Sequence, residues 1–380
     1  HDHHHKHHQT QHKEHHHQSH VKPKTAVVLL NLGGPADGEE VKPFLSRLFS
    51  DREIIPLPFQ KVLAPTIVTL RHNRVRKLYH EIGGGSPIKH WTHKQGHAMV
   101  KKLDSISPET APHKYYISFR YASPLTDDAL QQMKQDGVTR AVAFTQYPQF
   151  SCTTTGSSLN ELWRGLKRLN LEKAFEWSVI DRWPTHPGFI KAVAQRVREG
   201  LHSFPEEERS KAVILFSAHS LPMKIVLRGD PYPQEVSATV HDVMEELKYC
   251  NPYVSTWQSA VGPNWLGPQT VDVVQLLAKR GVKSLLVVPI AFTSDHIETL
   301  SELDIEVAKV AKDAGITNFR RAPSLNDSEL FTTAMADIVA THLTSQQVHT
   351  PQYKLKCPGC TNSHCRNLVN PAIPHEHQPI

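Results

Sequence analysis

From residue 26 onward, short aliphatic runs alternate with longer stretches of helical spacing, and no other feature restricts the fold as much. Ala26–Leu32 is an aliphatic run closed by Gly33-Gly34-Pro35, the pattern of a parallel strand buried on both faces and the turn that follows it. Runs of the same kind recur at Tyr115–Phe119, Ala141–Thr145, Trp177–Ile180, Ala212–Phe216, Val254–Trp257 and Ser284–Ile290. Helical spacing fills the intervals over Ala129–Lys134, Ser157–Leu169, Phe189–Leu201, Val236–Leu247, Thr270–Lys279 and Thr299–Val310. Strands separated by helices pair in parallel, with helices on both faces of the sheet. The runs fall into two groups on either side of the Pro-containing stretch Asp181–Pro187. The expected fold is therefore α/β, with two doubly wound, Rossmann-like halves over residues 24–182 and 183–345.

Ligands of such folds bind beyond the carboxyl ends of the strands. The loops to inspect are Gly33-Gly34-Pro35, Arg120-Tyr121, Gln146-Tyr147-Pro148, Ser217–Pro222 and Phe292–Glu298. His219 lies just past a buried strand, where it is either a satisfied structural group or a base that titrates near neutral pH. In the run Asp295, His296, Glu298, Glu302 and Glu306, the three glutamates repeat every four residues and share one face of a helix that starts at Ile297. Like charges at that spacing cost a helix about 0.2–0.5 kcal/mol per pair. The run is either a solvated acidic face or a carboxylate ladder that binds or conducts a cation. Its oxygen and imidazole donors suit a hard or borderline divalent metal. Gly83-Gly84-Gly85-Ser86-Pro87 lacks the Lys-Ser/Thr of a phosphate loop and the spacing of a dinucleotide site, so nucleotide binding is disfavoured. Phe44–Leu70 is rich in Phe, Leu, Ile and Pro. It suits a helical hairpin packing its own core, or an exposed apolar lip for a large flat ligand or a membrane surface.

Five cysteines are too few to scaffold a chain of 380 residues with disulfides. Cys357, Cys360 and Cys365 crowd around a Pro-Gly turn, close enough to converge on one metal centre in a reducing compartment. Zinc and an iron–sulfur cluster both fit that spacing, and Cys152, His364 and Cys250 are candidates for the fourth ligand. The net charge of +6 is mild. With no Lys/Arg-rich block or aromatic-and-basic stripe there is no footprint for nucleic acid, although a basic face toward anionic lipid stays open. Uninterrupted apolar runs such as Ala26–Leu30 and Leu285–Val288 fall far short of the ~18 residues that span a bilayer. The first 20 residues include 11 histidines. They have nothing to bury, so residues 1–23 read as a disordered tail with metal binding as a secondary use. The chain begins at His1, not Met, which fits a processing boundary after a removed targeting sequence.

Several stretches also match a known family in collinear order between about Lys24 and Arg366. They are Asn31-Leu32-Gly33-Gly34-Pro35, Ile82–Ile88, Phe119-Arg120-Tyr121, Thr145-Gln146-Tyr147-Pro148, Phe216-Ser217-Ala218-His219-Ser220-Leu221-Pro222, Arg228-Gly229-Asp230-Pro231-Tyr232, Val261-Gly262-Pro263 with Trp265–Thr270, and Phe292–Thr299. By these the chain resembles the ferrochelatases that carry a C-terminal iron–sulfur extension. The resemblance implies a chelatase-like pairing of two parallel four-stranded sheets around a porphyrin cleft. It implies insertion of ferrous iron into protoporphyrin IX with release of two protons, the terminal step of haem synthesis. His219 would accept a pyrrole proton. Glu298 would be the second acid–base or metal-handling group, lying across the ring, and Asp295, His296, Glu302 and Glu306 would form a proton or metal path. Arg120 and Tyr121 would line the opposite wall. Arg71, Tyr79 and Ser86 would sit near the ring edge, with Arg71 suited to a propionate. Gln258 and Trp265 would belong to the cleft wall, Leu32 stands where many relatives carry Met, and Phe44–Leu70 would be the lip that exchanges porphyrin with the membrane.

The same resemblance implies a two-iron two-sulfur cluster held by Cys152, Cys357, Cys360 and Cys365, with residues 346–380 as the cluster-binding extension. Cys250 is left over as a buried thiol. It further implies a peripheral homodimer on the matrix face of the mitochondrial inner membrane, with a bacterial cytoplasmic or membrane location as the alternative. A chelatase for cobalt or nickel and a non-catalytic porphyrin carrier are the competing readings. The apolar lip and the Ser217–Pro222 context argue against the first, and His219 together with the acidic ladder against the second.

Overall fold

A computed structural model describes residues 21–55 and 57–369. Most of the histidine-rich tail and the extension from residue 370 lie outside the described residues. β1 (Thr25–Asn31), β2 (His113–Phe119), β3 (Arg140–Thr145) and β4 (Glu176–Ile180) form one sheet in the order β2-β1-β3-β4. β5 (Val213–His219), β6 (Tyr253–Gln258), β7 (Ser284–Pro289) and β8 (Asn318–Arg321) form a second in the order β6-β5-β7-β8. Every pairing is parallel, so the two sheets share one topology. All residues of β1 and β7 are buried, as strands covered on both faces require. β8 has no counterpart among the expected strands, because its sequence Asn318-Phe319-Arg320-Arg321 is a polar, half-buried edge with no aliphatic run.

α1 (Val41–Phe49), α2 (Gln60–Glu81), α3 (Ile88–Ile106), α4 (Thr126–Gln135) and α5 (Ser157–Arg168) accompany the first sheet. α6 (Pro187–His202), α7 (Glu206–Arg209), α8 (Met223–Leu227), α9 (Tyr232–Glu246), α10 (Thr270–Lys279), α11 (Ala308–Ala314) and α12 (Glu329–Ser345) follow. One core joins the two sheets through Phe119, Ile180, Trp183, Phe189, Phe216, Ile290 and Met335. The buried Gln95 side chain on α3 locks that junction by donating to the carbonyls of Thr293 and Asn326, both at 2.8 Å. Beyond α12 the extension returns to the first sheet. Val179 donates to the Val348 carbonyl at 2.7 Å, and Tyr353 is buried in the core beneath β1 and β3.

The segment expected as an α-helix over Thr299–Val310 is instead a π-helix over Glu298–Val307, continued by α11. Its i→i+5 bonding places more than four residues in each turn. Residues four apart share a side in either helix, so the glutamate spacing cannot separate the two. Cys152–Gly156 is also π-helical. Within Phe44–Leu70 both expectations hold in part. α1 and α2 pack together through Val41, Leu45, Val68 and Tyr79, whereas Phe59, Val62 and Leu70 are 84%, 67% and 77% exposed. Among the described residues no helix is long and apolar enough to cross a membrane.

Candidate active site

In sheets of this order the winding reverses between β1 and β3 and between β5 and β7, and the loops leaving those strands flank a crevice. In the first half the two loops meet where the Leu32 amide donates to the Tyr147 hydroxyl at 3.2 Å. In the second they meet where His219 Nε2 stands 3.1 Å from Glu298 Oε1. Glycines shape the first crevice. Gly33 has φ +80°, and a Cβ there would lie 2.8 Å from the Phe119 side chain. A Cβ on Gly34 would lie 2.7 Å from that of Ser86, and one on Gly85 would lie 1.9 Å from the Ala36 carbonyl oxygen. The Gly83–Pro87 stretch is thus a close backbone packing against the β1 loop, sealed by Ser86 donating to the Pro35 carbonyl at 2.7 Å.

Glu298 is the electrostatic centre of the second crevice. Its Oε2 also pairs with His296 Nε2 at 3.0 Å. Burial alone would raise its pKa, but His219 and His296 overcome that and hold the carboxyl far below the usual range. Burial would lower the His219 pKa, yet the Glu298 carboxylate wins and raises it to about 9. Each partner therefore favours the charged form of the other. His219 Nδ1 is anchored on the Ser220 carbonyl at 2.5 Å, which leaves Nε2 as the nitrogen that exchanges protons. Glu302, one step along the π-helix, accepts from the Ser259 amide at 2.7 Å and its hydroxyl at 2.5 Å. Burial and the neighbouring Glu298 charge raise its pKa. Gln258 ties the pair together, with Nε2 3.4 Å from the Glu298 carbonyl and 3.3 Å from Glu302 Oε2. Glu306 is exposed at the surface end of the row.

Two expected placements differ. Glu298 does not face His219 across a slot wide enough for a ring; the two side chains touch, because both loops leave neighbouring strands of one sheet. Asp295 is spent on local structure. It accepts from Thr299, Ser324 and Asn326 at 2.7–2.9 Å and pairs with Arg321 at 3.1 Å. Those donors overcome its burial and lower its pKa.

Phenols from both halves close on this centre. Tyr79, Tyr147 and Tyr232 are held above the ordinary phenol pKa, first by burial and then by the Glu298 charge. Tyr147 and Tyr232 lie in motifs noted above but are absent from the expected site; the sequence shows a phenol without showing what it faces. Arg120 and Tyr121 form a buried network on Asp51. Arg120 pairs with Asp51 at 2.9 Å and Glu161 at 3.4 Å, and the fully buried Tyr121 donates its hydroxyl to Asp51. Asp51 escapes sequence reading because it belongs to a short charged interruption, Asp51-Arg52-Glu53, within an apolar stretch and carries no spacing that marks a site. Ser86 is buried, and Arg71 is exposed on α2 over the Phe49 ring at 6.0 Å. Trp265 is half-buried, its backbone bridged to Pro222 so that the loop after His219 is fixed.

The thiols form a second constellation. Each of Cys152, Cys357 and Cys365 is disfavoured as thiolate first by burial; the Asp230 carboxylate comes next for Cys152 and Cys357, ahead of the neighbouring cysteines, and Cys360 comes next for Cys365, raised to about 11. All four are free. Like-charged donors packed away from water suit a bound cationic centre, which deprotonates coordinating thiols outright. Of the candidate fourth ligands only Cys152 joins the other three. His364 stacks on Trp163 at 5.1 Å, and Cys250 is exposed after α9, not buried as expected. Among the described residues no three donors are drawn together tightly enough for a single metal ion.

Two like parallel sheets, the second carrying a histidine–carboxylate pair at its switch point, make this a two-lobed α/β protein with an acid–base pair in its crevice. A sequence model of the ferrochelatase family matches residues 24–343. The chain is 56% identical over 347 residues to the mitochondrial ferrochelatase of Homo sapiens, covering 91% of this chain and 82% of that protein. It is 51% identical to that of Dictyostelium discoideum over 92% of this chain and 89% of that protein. Among solved structures, SirB from Bacillus subtilis with Fe3+ superposes with a TM-score of 0.48 at 13% identity, over 85% of this chain and 98% of that one. The chain belongs to the ferrochelatase family. It is a metal chelatase that inserts iron into protoporphyrin in the terminal step of haem synthesis.

Proposed function

We propose that proton removal from the porphyrin runs through His219 Nε2 and Glu298. The 3.1 Å contact between them carries this reading. The Glu298 carboxylate makes Nε2 more basic, so the neutral imidazole takes a proton from a pyrrole and Glu298 stabilises the imidazolium that forms. His296, which Glu298 touches, and the row of Glu302 and the exposed Glu306 supply the path by which that proton then leaves. Gln258 and Ser259 hold this acidic row in place. Leu32, Tyr79, Ser86, Arg120, Tyr121 and Trp265 belong to the walls around the ring, with Arg71 at the rim for a propionate. Asp295 serves the path by fixing the loop that carries His296. In steady-state metallation assays, His219→Ala and Glu298→Gln each lose at least about a hundredfold in kcat. Wild-type turnover in either variant defeats the assignment.

Cys152, Cys357, Cys360 and Cys365 would hold a two-iron two-sulfur cluster. A cluster there would bind the four half-buried sulfurs as thiolates and pin the extension to both halves. Cys360→Ser abolishes its visible absorbance and lowers the unfolding midpoint, because metal binding contributes folding free energy; full absorbance in that variant contradicts the ligand set. Colourless protein with bound zinc would replace the cluster by the other metal. The exposed Phe59, Val62 and Leu70, with the exposed cations Lys61, Arg71 and Arg74 on the same helix, support peripheral membrane contact. The mitochondrial relatives support a mitochondrial location. The matrix face of the inner membrane and the homodimer rest on the family resemblance.

A further inference from the structure

We propose that Asp230 is a positioning residue that couples the thiol corner to the acid–base site. Its carboxylate is 3% exposed and accepts three hydrogen bonds, none from a cation. Oδ2 takes the Cys152 amide at 2.9 Å and the Ser151 hydroxyl at 3.0 Å, both from the first half. Oδ1 takes the amide of Tyr232, the first residue of α9, at 3.0 Å. A buried carboxylate left short of donors is costly, so the three groups must move together.

On one side of Asp230 sits the extension. Gly359 donates to the Arg228 carbonyl at 2.8 Å. Gly229 has φ +99°, and a Cβ there would stand 2.6 Å from Pro358 Cδ. The Cys357–Cys360 turn therefore rests directly on the turn that carries Asp230. On the other side Tyr232 is buried with its ring 5.8 Å from that of Trp257, the residue before Gln258, whose amide holds Glu298 and Glu302. Further bonds stitch the same seam: Phe150 donates to Glu235 at 3.1 Å and Gln149 to Thr239 at 3.1 Å. Emptying the thiol corner frees the 228–230 turn, and Asp230 passes that displacement to Tyr232 beside Glu298. This rests on the readings of Glu298 as the proton-handling acid and of the four cysteines as one cluster site.

The test is a double-mutant cycle in the full chain with Cys360→Ser and Asp230→Asn, following kcat, porphyrin affinity by fluorescence quenching, and the His219 imidazole titration by NMR. Coupling predicts that Cys360→Ser lowers kcat about tenfold and moves the imidazole midpoint, and that Asp230→Asn alone does the same with porphyrin affinity changed less than about threefold. In the Asp230→Asn background Cys360→Ser then adds less than about twofold. Additive effects, or an unmoved imidazole midpoint in both single variants, overturn the proposal. If Asp230→Asn does not fold, Tyr232→Leu, which removes the ring contact with Trp257, takes its place in the cycle under the same criteria. Glu298→Gln run in parallel separates the two failures. If it is inactive while the cycle is additive, only the Asp230 coupling falls; if it turns over normally, the acid–base reading falls first.

Discussion

Glu298→Gln removes the negative partner of His219 while keeping the size and hydrogen-bonding reach of the side chain. In the native site the Glu298 carboxylate, at 3.1 Å, outweighs burial and raises the imidazole pKa from 6.5 to about 9. That rise is nominally ~3.4 kcal/mol at about 1.36 kcal/mol per pH unit. The His219 side chain is 39% exposed, so screening by water reduces the pair to about 1–2 kcal/mol. We therefore expect the imidazole midpoint, read from its ring-proton shift in NMR, to fall by about one pH unit. The sign of the stability effect follows. The raised imidazole pKa makes the His219 contribution fully present below pH 6.5 and lost as pH rises through about 9. The depressed Glu298 pKa makes its contribution present above the ordinary carboxylate range and lost as pH falls through the depressed value. The stability gap between the native protein and the variant is thus widest between the ordinary carboxylate range and pH 6.5, narrows through neutrality and closes above pH 9. Turnover falls even though more imidazole is neutral, because the imidazolium formed on proton uptake has lost its stabilising carboxylate. An unchanged midpoint, or an equal stability gap at neutral and alkaline pH, refutes the pairing.

Asp51→Ala strips an acceptor from Arg120, Tyr121 and Ser157 at a buried site; urea unfolding registers a loss of about 3–5 kcal/mol, and a loss below about 1 kcal/mol contradicts the network. His342, half-buried and 2.8 Å from the Ser178 hydroxyl, has its pKa lowered to about 4, first by burial and then by Arg140. The unfolded chain binds that proton first, so stability declines as pH falls from 6.5 to about 4, by up to about 3 kcal/mol; His342→Phe removes that slope, and a slope that persists points elsewhere. Replacing Phe59, Val62 and Leu70 together by Ser lowers co-sedimentation with anionic vesicles while leaving metallation in detergent intact; undiminished vesicle binding rules out this lip.

The strands were legible where both faces are covered, because a buried strand must be apolar throughout, as in β1 and β7. β8 was not, since an edge of Asn, Phe and two arginines carries no such run. α3 was missed because its buried face is built from Thr92, Gln95 and Gly96 as well as Ile88, Met99 and Leu103, so helical periodicity is diluted by polar and small residues. The histidine and the acidic row stood out because strand-end position and like-charge spacing are both written in the sequence. Their direct contact was not, because it depends on β5 and β7 being neighbours in the sheet. The roles of Asp51, Asp230, Tyr147 and Tyr232 likewise depend on contacts between residues 66 to 151 positions apart, and no local spacing encodes those.

The central claim is that protons leave through His219 as the cation enters. Single-turnover iron insertion into enzyme-bound protoporphyrin, followed by the porphyrin spectrum and a pH indicator together, tests it most directly. The account predicts that His219→Ala binds the porphyrin normally and slows both metallation and proton release by at least about a hundredfold. Metallation and proton release at the native rate in that variant would contradict it.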